Sequence, residues 1–166
     1  MKRRIFALAA AALITLPALA QNREVTIDDW LRGRFYQRSV YGIRSMNDGE
    51  SFTTMSRGVI SRTSYSTGDN LGVVAYLPAR TDDYEFSANE KKIIYHTEEE
   101  PIYRRSFHAK YFIFDIDSKN TDTLYTGNRQ RMASLSPDGN TVAFIVDNNI
   151  LIKNLTTGEI RNVTTD

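Results

Sequence analysis

The chain has 166 residues, of which 41% are hydrophobic and 25% charged, with 21 lysine and arginine residues against 20 aspartate and glutamate residues. This near-neutral balance lacks the basic field that nucleic acid requires, so we expect no nucleic-acid partner. The sequence has no cysteine and two histidines, which excludes disulfides and thiolate metal sites and is too few for a typical structural zinc centre. We therefore expect no metal and no other cofactor.

The N-terminus has the features of an export signal. Residues 2–4 are Lys-Arg-Arg, residues 5–16 are almost entirely apolar, and residues 18–20 are Ala-Leu-Ala. This order is typical of a cleavable signal peptide, and the apolar run is shorter than the about 20 residues that span a bilayer. We expect cleavage of residues 1–20 after Ala20, which changes the net charge from +1 to −2, and a periplasmic or secreted mature protein.

An N-terminal segment over residues 21–38 precedes the first strand. Thr26 lies three positions before Asp29, and Trp30 and Leu31 follow directly. This capping pattern predicts a short helix near residues 26–32.

From about residue 39, the sequence alternates with a period of two and repeats itself. The turn sequences at 46–49 (Met-Asn-Asp-Gly) and 136–139 (Ser-Pro-Asp-Gly) are each followed by strand-like residues and by a Thr-Gly pair. Gly49 lies 19 positions before the glycine of the first pair, and Gly139 lies 19 positions before the glycine of the second. A repeat on this scale predicts a four-stranded unit that cannot bury its apolar faces alone, which favours a β-propeller.

The repeat predicts three such units, near residues 39–80, 81–128 and 129–166. The middle unit is placed by Ser87, which lies 41 positions after Met46 and 49 before Ser136. A closed propeller needs four to eight blades of about 40–50 residues. We therefore predict an all-β fold, an incomplete β-propeller of about three four-stranded blades with open edges, and expect the chain to be a fragment or the first piece of a longer polypeptide. The expected strands lie near 40–45, 51–55, 58–64, 71–77, 91–97, 109–116, 130–135, 141–146, 150–155 and 159–164.

The middle unit contains an insertion of about a dozen residues between its second and third strands. This insertion predicts a projecting hairpin over residues 98–108, and insertions on one face of a repeat array often carry binding. The acidic run 98–100 is open to interpretation as a solvated tip of this hairpin or as part of a binding site. Arg104 could offer planar donors to a carbonyl or carboxylate of a substrate.

The sequence contains no recognisable catalytic arrangement. There is no Gly-x-Ser-x-Gly elbow, and Ser106 near His108 has no evident orienting carboxylate. Asp115 and Asp117 resemble a calcium-binding pair, but a strand end entering a turn is the favoured interpretation. We predict no catalytic and no metal-binding residues.

The hairpin and the unit that follows it resemble dipeptidyl peptidase IV of the prolyl oligopeptidase family. Residues 100–107 (Glu-Pro-Ile-Tyr-Arg-Arg-Ser-Phe) are similar to the family's run of aromatic, arginine, basic, serine and aromatic residues. Residues 109–115 (Ala-Lys-Tyr-Phe-Ile-Phe-Asp) are similar to the Tyr-x-Ile-Tyr-Asp strand that comes next, and residues 135–152 look like the following propeller blade. The resemblance extends from about Val25 to Asp166.

The resemblance implies the N-terminal propeller portion of a secreted serine exopeptidase. Full members of the family join an eight-bladed propeller to a C-terminal α/β-hydrolase domain and remove N-terminal dipeptides with proline or alanine second. By resemblance, Arg104 contacts the backbone carbonyl of a peptide substrate that has a free N-terminus. The family's paired glutamates and its catalytic triad are expected outside this chain, so the run 98–100 is not that pair and the chain alone should be inactive.

The resemblance also implies that the hydrolase domain of the same polypeptide is a partner and that a homodimer forms. Two alternatives remain open from the sequence. One is a non-enzymatic periplasmic TolB-like propeller that binds proteins, in which these strands are usually joined by a short turn. The other is the propeller of a tripeptidyl aminopeptidase, which shares the architecture.

Overall fold

The structure, a computed structural model, describes residues 25–36, 39 and 41–165. The chain divides into a short unit up to Ser39 and a second unit from Val40 onward. The predicted signal peptide and its cleavage position lie outside the described residues. Within the described residues, no helix has both the length and the apolar character needed to cross a membrane.

The short unit contains the helix α1 (Ile27–Leu31), which confirms the helix predicted near residues 26–32. Thr26 is the N-cap, and its hydroxyl accepts a hydrogen bond from the Asp29 N–H at 3.2 Å. The Asp29 carboxylate accepts in return from the Thr26 N–H at 3.3 Å. This reciprocal pair satisfies two backbone donors that a helix N-terminus leaves without intrahelical partners.

The second unit consists of three antiparallel four-stranded sheets in the described residues, which confirms the predicted all-β fold. The first sheet has the order β1-β2-β3-β4, the middle sheet β5-β6-β7-β8 and the third sheet β9-β10-β11-β12. The strands are β1 Arg44–Ser45, β2 Ser51–Ser56, β3 Val59–Ser64, β4 Asn70–Tyr76, β5 Thr81–Phe86, β6 Lys92–Tyr103, β7 Ser106–Asp115, β8 Thr121–Thr123, β9 Arg131–Leu135, β10 Thr141–Val146, β11 Asn149–Asn154 and β12 Ile160–Asn162.

The turn that enters the second strand of each sheet has the same hydrogen bonds in all three sheets. In the turns 46–49, 87–90 and 136–139, the N–H of the fourth residue donates to the carbonyl of the first, at 3.1, 2.8 and 2.9 Å. The fourth residue has φ of +69°, +57° and +70°, respectively. The side-chain oxygen of the third residue accepts the N–H two positions on, at 3.0, 3.1 and 3.0 Å. The alignment of Ser87 with Ser136 is therefore confirmed, although Glu90 occupies the position that is glycine in the other two turns.

The middle sheet is buried on both faces, because apolar side chains from neighbouring sheets cover each face. Ile93 and Tyr95 of β6 belong to a cluster shared with the first sheet, whereas Ile94 between them belongs to a cluster shared with the third sheet. The buried members of the first cluster are Ile60, Ala75, Tyr84, Ile93, Tyr95 and Phe114. Those of the second are Ile94, Ala109, Tyr111, Ile113, Leu124, Val142, Phe144, Val146 and Leu151.

Polar contacts also join the first and middle sheets. Arg44 donates to both carboxylate oxygens of Asp83, at 2.8 and 2.9 Å, and to the Tyr84 carbonyl at 3.1 Å. The Thr53 hydroxyl and the phenol of Tyr84 lie 2.9 Å apart in the buried interface, and burial raises the pKa of that phenol. These contacts fix how the first and middle sheets are positioned against each other.

Gly58, in the turn between β2 and β3, is closely packed against the segment that follows β4. Its φ is +79°, and a Cβ added there would lie 2.4 Å from the Leu77 carbonyl oxygen and 2.5 Å from that of Pro78. Gly68 has a similar φ of +74° but open space around the same position. Gly58 is therefore required both by its backbone conformation and by a close backbone approach.

Gly58→Ala should destabilise the chain more than Gly68→Ala. The positive φ alone costs a non-glycine residue about 1–2 kcal/mol, and this is the expected loss at Gly68. At Gly58 the clash with two carbonyl oxygens adds to that cost, because backbone atoms cannot rotate away. Urea unfolding of both variants and the unsubstituted chain gives the comparison. Equal losses in the two variants would show that the contact with residues 77 and 78 does not constrain Gly58.

Candidate functional site

The predicted hairpin is the outward continuation of β6 and β7. Pairing is regular between residues 92–97 and 110–115, and resumes from the pair Glu100–His108 to the pair Tyr103–Ser106. The strand β6 is largely buried in its inner half and exposed from Glu98 onward. The projecting hairpin is therefore confirmed, and its turn consists of residues 104–105.

A β-bulge separates the buried half of the hairpin from the exposed half. Between the pairs Thr97–Lys110 and Glu100–His108, two residues of β6 lie opposite one residue of β7. Glu98 in this bulge has a φ of +57°. Bulges bend the strand and redirect the side chains that follow. In the first and third sheets, the strands instead end in two-residue turns at 57–58 and 147–148, with positive φ at both positions.

Ion pairs hold the base of the hairpin. Arg129, in the segment that leads into β9, contacts Glu98 and Glu100 through its two terminal nitrogens, each at 3.0 Å. Lys110 lies 3.0 Å from Glu98. The hydrogen bond from Lys110, followed by the charges of Lys110 and Arg129, lowers the pKa of Glu98. The run 98–100 is exposed, as the interpretation as a solvated segment requires, but it lies at the base of the hairpin and not at its tip, and Glu98 and Glu100 form ion pairs.

Backbone hydrogen bonds connect the same base to the third sheet. Ala109 and Gln130 exchange N–H to carbonyl bonds at 3.0 and 2.8 Å. The Gln130 side chain is 1% exposed, accepts from the Tyr111 N–H at 3.1 Å and donates to the Asn128 carbonyl at 2.5 Å. The hairpin, which extends from the middle sheet, is thus also bonded to the segment that leads into the third sheet. No local sequence pattern indicates this role for Arg129 or Gln130.

Arg104 lies at the tip of the hairpin, in the turn, with an exposed side chain. Its neighbour Tyr103 is 74% exposed and Ile102 is 48% exposed. No hydrogen bond or ion pair within the described part of the chain engages the Arg104 or Arg105 side chain. A guanidinium in this state keeps all five of its donors available in a rigid planar fork.

The structure also shows the contacts of two other candidates from the sequence, the pair Ser106 and His108, and Asp115. Ser106 and His108 alternate along β7, and no hydrogen bond joins them to each other or to a carboxylate in the described residues. The Asp115 carboxylate accepts from the N–H and the hydroxyl of Ser118 at 2.8 and 2.9 Å. These bonds, the backbone one first, lower the pKa of Asp115 and confirm that it caps a turn.

A cavity of about 330 Å³ lies near the base of the hairpin, with walls from all three sheets. The sequence does not predict this cavity, because its walls are far apart along the chain. Burial raises the pKa of the Tyr111 phenol, which lines this cavity, to about 12. The lining residues are Arg44, Asp83, Tyr84, Glu85, Ile94, His96, Tyr111 and Ala133.

Comparison with known proteins places the hairpin and the third sheet in one recognised region. Residues 87–166 match the model of the family "Dipeptidyl peptidase IV (DPP IV) N-terminal region". A protein named probable dipeptidyl-aminopeptidase B from Sclerotinia sclerotiorum is 34% identical over 83 residues, which is 48% of this chain and 9% of that protein. Its namesake from Pyrenophora teres f. teres is 28% identical over 130 residues, or 76% of this chain and 14% of that protein.

The similarity extends to three dimensions. The crystal structure of Porphyromonas gingivalis dipeptidyl peptidase 4 aligns with 87% of this chain at a TM-score of 0.72 and 32% identity. The chain covers 22% of that structure and a still smaller share of the two fungal relatives. The three sheets therefore match the propeller region of dipeptidyl peptidase 4, and residues 87–166 match the dipeptidyl peptidase IV N-terminal region.

Proposed function

We propose that this chain contributes to substrate access and orientation in an exported serine exopeptidase that removes dipeptides from peptides with a free N-terminus and proline or alanine second. One observation carries the proposal. The insertion that breaks the repeat presents at its tip an exposed arginine, Arg104, with no hydrogen bond or ion pair to the other described residues, in a segment that matches the dipeptidyl peptidase IV N-terminal region. A short turn at this place, as in the first and third sheets, would favour a protein-binding propeller instead.

The chemistry of the tip suits a peptide backbone. Arg104 can donate to a carbonyl oxygen from a planar fork, which fixes direction as well as distance. The base of the hairpin is held by Arg129 and by the Ala109–Gln130 bridge, so the position of the tip is defined before substrate arrives. The glutamates 98 and 100 are paired with cations, which leaves them unsuited to hold the ammonium group of a substrate.

The reaction itself needs further groups. Acyl transfer requires a nucleophile, a base and oxyanion donors within hydrogen-bond reach of one carbonyl. The described residues bring no such set together, and we assign that machinery to an α/β-hydrolase domain of the same polypeptide. The basic, apolar and Ala-Leu-Ala order of residues 2–20 supports export to the periplasm or the medium.

Arg104→Ala in the full-length protein should lower kcat/KM for alanyl-prolyl p-nitroanilide by roughly 10- to 150-fold. One charge-assisted hydrogen bond to the substrate is worth about 1.5–3 kcal/mol, and the substitution removes no hydrogen bond or ion pair within the described part of the chain. Steady-state kinetics, with circular dichroism to confirm folding, gives the measurement.

The neighbouring variant Arg105→Ala is the matched control, because it removes the same side chain from the same turn. Its kcat/KM should change far less than that of Arg104→Ala. Unchanged kinetics in Arg104→Ala, or equal losses in both variants, would remove Arg104 from the substrate site. A parallel assay with an alanyl-alanyl-prolyl substrate distinguishes dipeptidyl from tripeptidyl release.

The 166-residue chain alone should release no p-nitroaniline from alanyl-prolyl p-nitroanilide above the buffer rate, because its described residues bring together no nucleophile, base and oxyanion donors. The full-length protein, prepared in the same way, serves as the positive control. Activity that co-elutes with the purified chain and disappears with a serine-directed inhibitor would contradict this expectation.

A further inference from the structure

Three side chains near the base of the hairpin form a cluster that the proposed function does not use. Asp82 comes from β5, and His96 and Glu99 come from β6. Each offers one nitrogen or oxygen atom, and these three atoms all lie within 4.8 Å of one another. One imidazole and two carboxylates are a donor set that binds divalent transition metals in proteins.

Two β-bulges in adjacent strands bring these side chains together. In the pairing of β5 with β6, Thr81 lies opposite Thr97 and Asp83 opposite His96, so Asp82 is the extra residue of the first bulge. Glu98 and Glu99 form the second bulge, in which Glu98 takes a φ of +57°. Regular alternation would separate these groups, and bulges are the usual means of redirecting a side chain towards a site.

The His96 imidazole is buried, and one of its ring nitrogens has no hydrogen-bond partner. The residue is 9% exposed, and its Nε2 atom is fully buried and makes no hydrogen bond. That atom lies 3.6 Å from a carboxylate oxygen of Glu99, so it is directed into the cluster. The rings of Phe107 and Tyr111 lie 4.9 and 5.1 Å from the imidazole ring. A buried nitrogen without a partner is costly unless something binds it.

The two carboxylates of the cluster lack the cationic partners that their neighbours have. Asp83 pairs with Arg44, and Glu98 and Glu100 pair with Arg129. Within the described residues, no lysine or arginine forms an ion pair with Asp82 or Glu99. One oxygen of Asp82 accepts the Glu99 N–H at 3.2 Å, which orients that carboxylate and leaves its other oxygen available as a ligand.

We propose that Asp82, His96 and Glu99 bind a divalent transition metal ion of the zinc class at the base of the hairpin. Zinc bonds of about 2.0–2.1 Å in tetrahedral geometry place ligand atoms roughly 3.3 Å apart, close to the His96–Glu99 separation of 3.6 Å. The fourth position is open to water. The ion joins β5 to β6 at the bulge, so it acts as a clamp for the hairpin, and its binding does not depend on the proposed peptidase function.

The scarcity of histidine in the sequence does not argue against this site. Typical structural zinc centres use several histidines and cysteines, whereas this set uses one imidazole and two carboxylates. No spacing pattern predicts it, because one ligand comes from a different strand and the other two depend on a bulge.

Isothermal titration of the intact chain, made without a polyhistidine tag, with zinc chloride in phosphate-free buffer tests the proposal. We expect one zinc ion per chain. His96→Ala and Glu99→Gln should each weaken binding by at least about tenfold, since even the loss of an outer-shell partner costs 10- to 100-fold. Glu99→Gln keeps the shape of the side chain and remains informative if His96→Ala fails to fold.

The controls are His108→Ala, which removes the chain's other histidine, and Glu100→Gln, which alters the adjacent glutamate. Both should bind zinc as the unsubstituted chain does. The proposal is overturned if zinc does not bind, if Glu99→Gln binds with unchanged affinity, or if His108→Ala weakens binding as much as Glu99→Gln does. Manganese chloride in place of zinc should bind more weakly, and stronger manganese binding would overturn the assignment to the zinc class.

Discussion

Burial of the middle sheet on both faces is the constraint on which the rest of the structure depends. Four consecutive residues of β6, from Ile93 to His96, are all buried. Alternate side chains of a strand point to opposite faces, so each face needs a neighbouring sheet. The first and third sheets meet this need through separate apolar clusters. The hairpin therefore extends from a sheet whose inner half is fixed on both sides.

The local parts of this fold could be predicted from the sequence, and the long-range parts could not. Turn residues and the 19-position spacing indicate strand ends, because hydrogen bonds within four or five residues determine those turns. The helix cap at Thr26 is local in the same sense. The ion pair between Arg44 and Asp83 joins residues 39 positions apart, and no sequence pattern near either residue indicates the other. The cavity walled by all three sheets cannot be predicted from the sequence for the same reason.

The acidic run 98–100 shows where composition fails to indicate role. Three identical residues in sequence have two different environments. Glu98 and Glu100 contact Arg129, whereas Glu99 lies beside His96. The three carboxylates reach different partners because Glu98 takes a left-handed conformation, which a glutamate adopts only when the surrounding structure requires it. The sequence predicts an insertion after residue 97 but has no turn residue at 98–100 that would indicate a bulge.

The attachment of the hairpin base to Arg129 has a mechanical consequence. From Glu98 to Arg104 the strand advances six residues, or about 20 Å at roughly 3.3 Å per residue. A tilt of about 3° at the base therefore moves the guanidinium by about 1 Å, a displacement that can change a reaction rate by about 100-fold. The segment that leads into β9, which contains Arg129 and Gln130, therefore sets the position of the hairpin tip from its base.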